Sequence, residues 1–408
     1  MSKRVKAAIL SVSVGVVLFT IAGGLGVRAA SNDDVYRQLG VYTEVLSRIR
    51  SEYVEDPNID KVTSGALHGL LESLDANSSY LTPAEYQKYK SNQHQGRAGI
   101  GATISKRFGY GAVISVIPGG PADKAGLQNG DIVEAIEGKS SRDMSLAEVQ
   151  SLIAGESGSV LTVSVVRPRR PEPTKLSITR DVVKVPAVSQ RMLEDNIGYI
   201  KVDALPKDKS TEIASKIKAL QSSGATRLIL DLRGSSSGEE SEGVSTANLF
   251  LDRGTITYLQ GQKYARETFN AAPQKAITKL PMVVLVNRGT AGPAEIVAGA
   301  LKENSRAQVV GEKTFGVGSV QKVIEIPDGS ALILSVAKYY SPSGKAIQDE
   351  AVTPNVVVAG AGEDFAGDLD EAPQGNAPEQ SPSTPQEDEQ LRRAIDLLKG
   401  GQQPAQAA

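Results

Sequence analysis

The sequence contains no cysteine and no tryptophan, and it has only two histidines among 408 residues. The absence of cysteine excludes disulfides and thiolate metal sites. His68 and His94 both lie in the N-terminal third, so we expect neither a histidine-based triad nor a zinc site, and we predict no cofactor and no metal. The formal net charge of −2 indicates no bulk attraction to nucleic acid or anionic membrane.

Long uncharged runs are also scarce, and the one at residues 7–27 follows a basic N-terminus. About 20 apolar residues suffice to span a bilayer, whereas a cleaved signal usually has a shorter apolar core. We therefore favour an uncleaved membrane anchor within residues 1–30, although Val27 and Ala29 also suit a signal cleavage site. In either case we expect the rest of the chain to be exported, to the periplasm or another extracytoplasmic location, on the basis of the positive-inside rule. If the apolar run is kept, it would anchor the protein to the inner membrane.

The next segment, residues 31–97, has apolar residues at helical spacing and is predicted to be a helical packing or dimerising region. Within it, "TPAE" (82–85) predicts a helix start with a capping box. Oligomers formed through this region, with copies of itself or with a relative, are an open alternative.

The remaining chain divides into three parts by pattern. Residues 98–182 alternate short strands and helices, with a basic loop predicted at 167–173. Residues 183–360 alternate strands and helices as in parallel α/β units with added antiparallel strands. Residues 361–408 are rich in acidic residues, Pro, Gln and Ser and are predicted to be disordered, apart from a short helix at 385–399 capped by Thr384.

A strand followed by a sharp turn and a helix is predicted around "GTAGPAEIVAGAL" (289–301). The apolar strand "MVVLVN" (282–287) precedes it, and many hydrolases place their nucleophile on such a turn. This turn contains neither serine nor cysteine. It is therefore an active site, a former active site, or only a turn.

Ordered motifs over nearly the whole chain after residue 30 resemble the carboxyl-terminal processing (tail-specific) serine peptidases. They include "EYVED", "SLDANSSYLTPAEY", "GGPADKAGLQNGDIVEAIEG", "LILDLRG", "AEIVAGALKENSRAQVVGEKTFGVGSVQ" and "YYSPSGKAIQ". The resemblance implies a multidomain α+β fold with an N-terminal helical region, a PDZ domain and a ClpP/crotonase-like α/β protease core. It also implies proteolysis near the C-termini of exported proteins, with a serine nucleophile, a lysine base and a glutamine that orients the lysine.

The catalytic positions of the resembled family are substituted in this chain. Matching Glu295 and the following isoleucine places the nucleophile position at Gly292. Matching the later motif "FGVGSVQ" (315–321) places the base position at Val317 and retains Gln321. Glycine has no side chain to attack a carbonyl, and valine accepts no proton. Loss of such a nucleophile costs roughly 10⁶-fold in serine peptidases.

The oxyanion region is altered as well. In the family, one donor is the N–H of the residue after the nucleophile, here Pro293, which has no N–H. One such donor is typically worth about 10²–10³ in rate. The second donor belongs to a glycine-rich loop, where Gly238 is kept but Ser236 and Ser237 replace Pro and Gly. These changes favour a pseudopeptidase that keeps the fold and tail binding.

Two alternatives remain open. An active peptidase would need relocated groups such as Thr290 with Lys313, or a serine of the 235–237 run. Each residue step moves the backbone about 3.8 Å, which argues against simple relocation. The chain would otherwise be a structural, membrane-anchored partner of an active relative.

The resemblance also implies a peptide site in the PDZ domain, for exported proteins or peptides with apolar C-termini. "AGIGATI" (98–104) suits a carboxylate-binding loop and the strand that pairs with the peptide. The predicted groove residues are Gly99, Ile100, Gly101 and Ala102 on the loop and strand, and Val149 and Ile153 on the facing helix.

Overall fold

The computed structural model describes residues 36–94, 98–107, 109–167, 170–360 and 388–400. The chain divides into two compact units, residues 1–67 and 68–408. The apolar run 7–27 lies outside the described residues. Within the described ranges, no helix has both the length and the apolar character needed to cross a bilayer.

The described part of the first unit is helical. Helix α1 covers residues 36–52, and helix α2, Ile59–Glu72, begins in this unit and ends in the second. Several apolar side chains of α1 are exposed, for example Leu39 at 53% and Val45 at 49%. Association through this helical region stays a prediction.

The second unit begins with strand β1, Ser79–Leu81, and helix α3, Pro83–His94. The predicted capping box at the start of α3 is confirmed. The Thr82 N–H donates to Glu85 Oε2 at 2.8 Å, and the Glu85 N–H donates to Thr82 Oγ1 at 3.4 Å. The pair satisfies two amides that have no partner inside the helix.

The predicted PDZ region is an antiparallel sheet packed against two helices. Its principal sheet has the order β3-β4-β5-β7-β8, while β6 pairs with β5, and β2 pairs with β9. The strands are β2 Ala98–Gly99, β3 Ala102–Arg107, β4 Tyr110–Val116, β5 Ile132–Ile136, β6 Lys139–Ser140, β7 Val160–Arg167, β8 Arg170–Thr179 and β9 Asp181–Val182. The helices are α4 Pro121–Lys124 and α5 Leu146–Ile153, with a 3-10 turn at Ser141–Asp143.

The α/β core is built on a six-stranded sheet of order β10-β11-β12-β15-β16-β19. The last five strands are parallel, and β10 is an antiparallel edge strand. Their bounds are β10 Ser189–Leu193, β11 Ile197–Lys201, β12 Arg227–Asp231, β15 Met282–Val286, β16 Gln308–Gly311 and β19 Val356–Val357. The predicted parallel units with crossover helices are therefore confirmed.

Helices cover both faces of this sheet. One face packs against α6 Lys209–Ser222, α7 Glu240–Asn248 and α8 Pro293–Glu303. The other face packs against α10, Glu389–Lys399, through Leu391, Ala394 and Leu398. The carboxyl ends of the parallel strands lead into the loops that carry the candidate site, as in other α/β sheets.

A second sheet of the second unit includes β1. Strand β18 pairs with β1, β13 and β17, and β13 pairs with β14. The bounds are β13 Thr255–Gln260, β14 Glu267–Asn270, β17 Ser319–Glu325, β18 Ala331–Tyr340 and the short helix α9 Ile347–Glu350. Further 3-10 turns are Glu194–Asn196 and Pro273–Lys275.

Two local predictions need correction. The C-terminal helix begins at Glu389, and the Asp388 side chain caps it by accepting from the Leu391 N–H at 3.0 Å, so Thr384 is not its cap. The basic stretch predicted as a loop over 167–173 is largely strand, because β8 already begins at Arg170. The predicted disorder of residues 361–387 falls outside the described residues.

Candidate active site and peptide groove

The turn between β15 and α8 holds Gly292 in a conformation that favours glycine. Gly292 has φ +56°, and a Cβ built on it meets only the Ser236 carbonyl oxygen, at 3.9 Å. The site therefore has open space where the family's nucleophile side chain stands. Pro293 is the first residue of α8, a position at which a missing N–H does not disturb the helix.

One carboxylate, that of Glu295, joins the nucleophile position to the base position. Its Oε2 accepts from the Gly292 N–H at 3.0 Å and from the Val317 N–H at 2.8 Å. Its Oε1 accepts from the Gly316 N–H at 2.8 Å and from the Thr314 hydroxyl. The structure thus brings Gly292 and Val317 together through their backbones, although neither carries a reactive side chain.

Glu295 is completely buried, and this burial raises its pKa to about 7. The four donors act in the opposite direction, because each stabilises the ionised form. Three of these donors are backbone N–H groups, which can only donate and therefore need an acceptor such as the carboxylate. The carboxylate is therefore a structural clamp on the turn and the loop, enclosed where no substrate reaches it.

Gln321, retained from the family's catalytic set, lies exposed on β17. Its side-chain amide donates to Ser319 Oγ at 2.6 Å and to Ser335 Oγ at 3.4 Å. It has no lysine to orient, since the base position is Val317. Two serine hydroxyls take up the donors of the glutamine instead.

The relocated pair considered from the sequence, Thr290 and Lys313, is not brought together by a hydrogen bond within the described ranges. Thr290 is fully buried, and its hydroxyl donates to the Leu232 carbonyl at 2.9 Å and accepts from the Asn287 N–H at 3.0 Å. Lys313 is exposed. The Thr290 hydroxyl is thus committed to holding the turn, as a short polar residue in a turn commonly is.

The oxyanion loop follows β12 and is fixed to the segment after β11. The Leu205 N–H donates to the Ser237 carbonyl at 2.8 Å. Gly238 has φ +136°, and a Cβ there would lie 2.1 Å from the Leu205 carbonyl oxygen, so only glycine fits. The loop keeps its close backbone approach, while a carbonyl, that of Ser236, faces the open nucleophile position.

The PDZ domain contacts this loop directly. The hydroxyl of Ser115 on β4 hydrogen-bonds the hydroxyl of Ser236, and both residues are buried. A Cβ on Gly289, in the nucleophile turn, would lie 3.1 Å from the Ile114 carbonyl oxygen. No local sequence pattern predicts this contact, because it depends on which loops meet across two domains.

The predicted peptide groove is bounded by β3 and α5. Strand β3 pairs only with β4 within the described residues, so its outer edge is available for strand addition. Gly101 has φ +74°, and the Val183 side chain packs against it. The other predicted groove residues are placed as follows: Gly99 lies on β2, Ala102 begins β3, Ile153 is half-buried at the end of α5, and Ile100 and Val149 lie in the hydrophobic core of the domain.

No group of acidic, histidine or cysteine side chains within the described ranges is arranged to hold a metal ion. The candidate site combines the turn at Gly292, the loop at Val317, the oxyanion loop and the adjacent domain that carries the predicted peptide groove.

Comparison with known proteins identifies this arrangement. Residues 196–358 match peptidase family S41, and residues 113–167 match the PDZ domain. A carboxy-terminal-processing protease of Bartonella bacilliformis is 33% identical over 333 residues, which cover 80% of this chain and 76% of that protein. The chain belongs to the carboxyl-terminal processing proteases of peptidase family S41.

Other members of the carboxyl-terminal processing family agree. The carboxy-terminal processing protease CtpA of Bacillus subtilis is 34% identical over 334 residues, covering 81% of this chain and 71% of that protein. The solved structure of the photosystem II D1 C-terminal processing protease gives a TM-score of 0.64 at 27% identity, covering 78% of this chain and 92% of that one. The predicted family and fold class are confirmed.

Proposed function

We propose that this protein is an exported member of the carboxyl-terminal processing family that binds protein C-termini without cleaving them. The observation that carries the proposal is the pair of substituted positions at Gly292 and Val317, held together by Glu295. A serine peptidase of this type needs a hydroxyl and an amine at these two points. The clamp keeps the shape of the site and supplies neither group.

The second candidate, an active endopeptidase with relocated residues, is disfavoured by the bonds of Thr290. Its buried hydroxyl already has a donor and an acceptor, and the candidate base Lys313 is exposed. The test is incubation of the full chain with an unstructured peptide that ends in apolar residues. We expect no cleavage above a buffer control, and cleavage that Thr290→Ala or Lys313→Ala abolishes would establish the active alternative.

The PDZ domain is the proposed binding module. The free edge of β3 pairs with an incoming strand, and the glycine-rich loop at Gly99 and Gly101 receives the terminal carboxylate. We expect micromolar affinity for peptides with a free apolar C-terminus and much weaker affinity for the same peptides amidated.

Two variants that introduce a charge test the groove. Ile153→Asp puts a charge on the predicted groove side of α5 and should weaken binding at least tenfold, whereas Thr174→Asp, at an exposed position of β8 on the sheet edge opposite β3, should not. Equal affinity of amidated and free peptides, or equal effects of the two variants, would contradict tail binding. Either result would favour the alternative that the protein is a structural, membrane-anchored partner of an active relative.

The proposed location is extracytoplasmic, with residues 7–27 as the anchor. The apolar length of that run supports an uncleaved span over a removed signal. Intact mass of the chain isolated from membranes tests the anchor, because cleavage after Ala29 would remove a defined mass from the N-terminus.

A further inference from the structure

Lys106, on strand β3, carries a buried ammonium to which the proposed function gives no role. Its side chain is only 6% exposed. Lysine is almost never buried to this extent unless its charge is paired. The ammonium donates to Glu72 Oε1 at 2.6 Å, to the Met144 carbonyl at 2.6 Å and to the Arg142 carbonyl at 3.5 Å. Each of its three N–H groups therefore has an acceptor.

These contacts place the Lys106 side chain across one end of the predicted peptide groove. Ile104 and Lys106 share one side of β3, because side chains alternate along a strand. Ile104 lies in the domain core together with Val149 of α5. Lys106 extends on the same side and reaches the carbonyl of Met144, just before α5 begins. Its side chain therefore joins β3 to the start of the facing helix.

The other end of the groove is fixed by the backbone. The Gly155 N–H, in the segment that follows α5, donates to the Ala98 carbonyl at 3.2 Å. A Cβ on Gly99 would lie 3.9 Å from the Ile153 carbonyl oxygen, so the last turn of α5 lies beside the glycine-rich loop. The gap between β3 and α5 is thus held by backbone contacts at the loop and by one side chain at the open end.

We propose that Lys106 is a positioning residue that sets the width of the peptide groove at its open end. It thereby selects short side chains at the third residue from the end of a bound tail. The proposal rests on the tail binding proposed above and adds a size limit to it. A buried ion pair is weak evidence for stability, whereas in some proteins such a group serves to fix one arrangement of the parts around it. Here the parts are β3 and α5.

The register of an added strand explains why the third residue from the end is the one affected. A carboxylate held by the glycine-rich loop puts the terminal residue beside Ala102, so an antiparallel strand places the third residue from its end beside Ile104. Directly opposed side chains lie on the same face of a sheet, here the face toward α5. The floor is filled at this point, because Ile104 is 3% exposed and Val149 is 0% exposed. A side chain there finds only the gap that Lys106 holds.

Two substitutions release this end of α5 without leaving a charge buried and unpaired. Lys106→Met keeps an unbranched side chain and removes all three donors. The Glu72 side chain, at the end of α2, is 42% exposed, so water solvates its carboxylate when the lysine is absent. Glu72→Ala is the second variant, because it removes the acidic acceptor of Lys106 and changes neither β3 nor α5.

The selectivity test measures the Kd of the full chain for apolar-ended peptides that carry alanine or tryptophan at the third residue from the end. The unmodified protein should bind the tryptophan peptide at least tenfold more weakly, and Lys106→Met should reduce this ratio to about two or less. A variant that only weakened the fold would raise both Kd values and leave the ratio unchanged. The same exchange at the second residue from the end, whose side chain points away from α5, should give one ratio in both proteins. Lys175→Met, at an exposed lysine of β8, is the matched control and should keep the original ratio.

Hydrogen exchange of the unliganded chain tests the position of α5 without any peptide. The amides of α5 should exchange at least fivefold faster in Lys106→Met, and faster also in Glu72→Ala, which takes its place if Lys106→Met melts early. The amides of α6 should be unchanged. Unchanged exchange in α5, or an unchanged ratio of the two Kd values, would overturn the proposal. If the unmodified protein binds no peptide at all, the proposed function fails, and the exchange of α5 decides the positioning role of Lys106 by itself.

Discussion

Restoring the family's residues at three positions of the site tests whether the substitutions alone make it silent. The variant combines Gly292→Ser, Pro293→Ala and Val317→Lys. A Cβ at position 292 meets only the Ser236 carbonyl oxygen at 3.9 Å, so a serine side chain fits. Because Gly292 has a φ of +56°, a non-glycine residue there should lower the free energy of unfolding by roughly 1–3 kcal/mol, and the surrounding hydrogen bonds must keep the backbone in this conformation.

The expected gains follow from the part each group plays. The serine and its lysine base account for about 10⁶-fold in rate, and they act as a unit, so either alone should give almost nothing. Alanine at position 293 returns one N–H to the oxyanion hole, worth about 10²–10³. The triple variant should therefore cleave about 10²–10³ times faster than a double variant that combines Gly292→Ser with Val317→Lys and keeps Pro293.

The assay follows cleavage of an unstructured, apolar-ended peptide by mass spectrometry, with the full chain and with a control that carries Gly292→Ala in place of the serine. Thermal melts establish that each variant is folded. If the folded triple variant is no faster than its alanine control, the idea of an otherwise intact scaffold fails. If the unmodified protein matches the triple variant, the silent-site hypothesis fails.

Three further predictions concern stability. Gly238→Ala places a Cβ 2.1 Å from the Leu205 carbonyl oxygen and should lower the free energy of unfolding by more than about 3 kcal/mol in urea titrations. The control Gly234→Ala should lower it less, because a Cβ at position 234 meets nothing within 4 Å. Equal losses in the two variants would refute the close-contact argument. His68 lies 3.6 Å from Glu85; this pairing raises the pKa of His68 and contributes to lowering the pKa of Glu85 to about 2, so it stabilises the protonated histidine, and the contribution is lost as pH rises through the raised pKa. We therefore expect His68→Ala to destabilise the protein more at about pH 6 than at about pH 9, with a difference of about 1 kcal/mol or less in thermal melts. An equal loss at both pH values would exclude the ion pair. Burial raises the pKa of Glu295 to about 7, above its unfolded value of 4.5, so this group lowers the free energy of unfolding by on the order of 3 kcal/mol as pH rises between these two values. Glu295→Gln should remove this pH dependence of stability while weakening the clamp. Urea titrations across this pH range measure the dependence, and an unchanged dependence in the variant would exclude Glu295 as its source.

The sequence is most informative where structure is set by neighbours along the chain. Strand β15, the turn and α8 are predictable because an apolar strand, small turn residues and a helix with Pro first follow one another directly. The capping box of Thr82 and Glu85 depends on a three-residue spacing and is predictable for the same reason. The C-terminal helix shows the limit of this logic, since Thr384 and Asp388 both offer a capping oxygen and only Asp388 caps it.

Features that depend on distant residues are not predictable in this way. In the sequence Glu295 serves only to align the motif, yet its carboxylate holds two loops that lie more than 20 positions apart. The contact between Ser115 and Ser236 joins two domains. The low exposure of Ile100 and Val149 depends on how the PDZ domain packs, which the glycine-rich motif does not report.

Helix α10 has a consequence for any attempt to shorten the protein. It covers one face of the parallel sheet, and Arg233, at the base of the oxyanion loop, fastens its first turn through Asp388 at 2.8 Å. A truncation that ends near residue 360 would expose a contiguous apolar surface formed by Ile229, Val283, Leu285 and Val310. It would also leave the Arg233 guanidinium without one of its two acidic partners. Such a fragment should self-associate even though it retains every residue of the candidate site, so the last helix belongs to the minimal soluble unit.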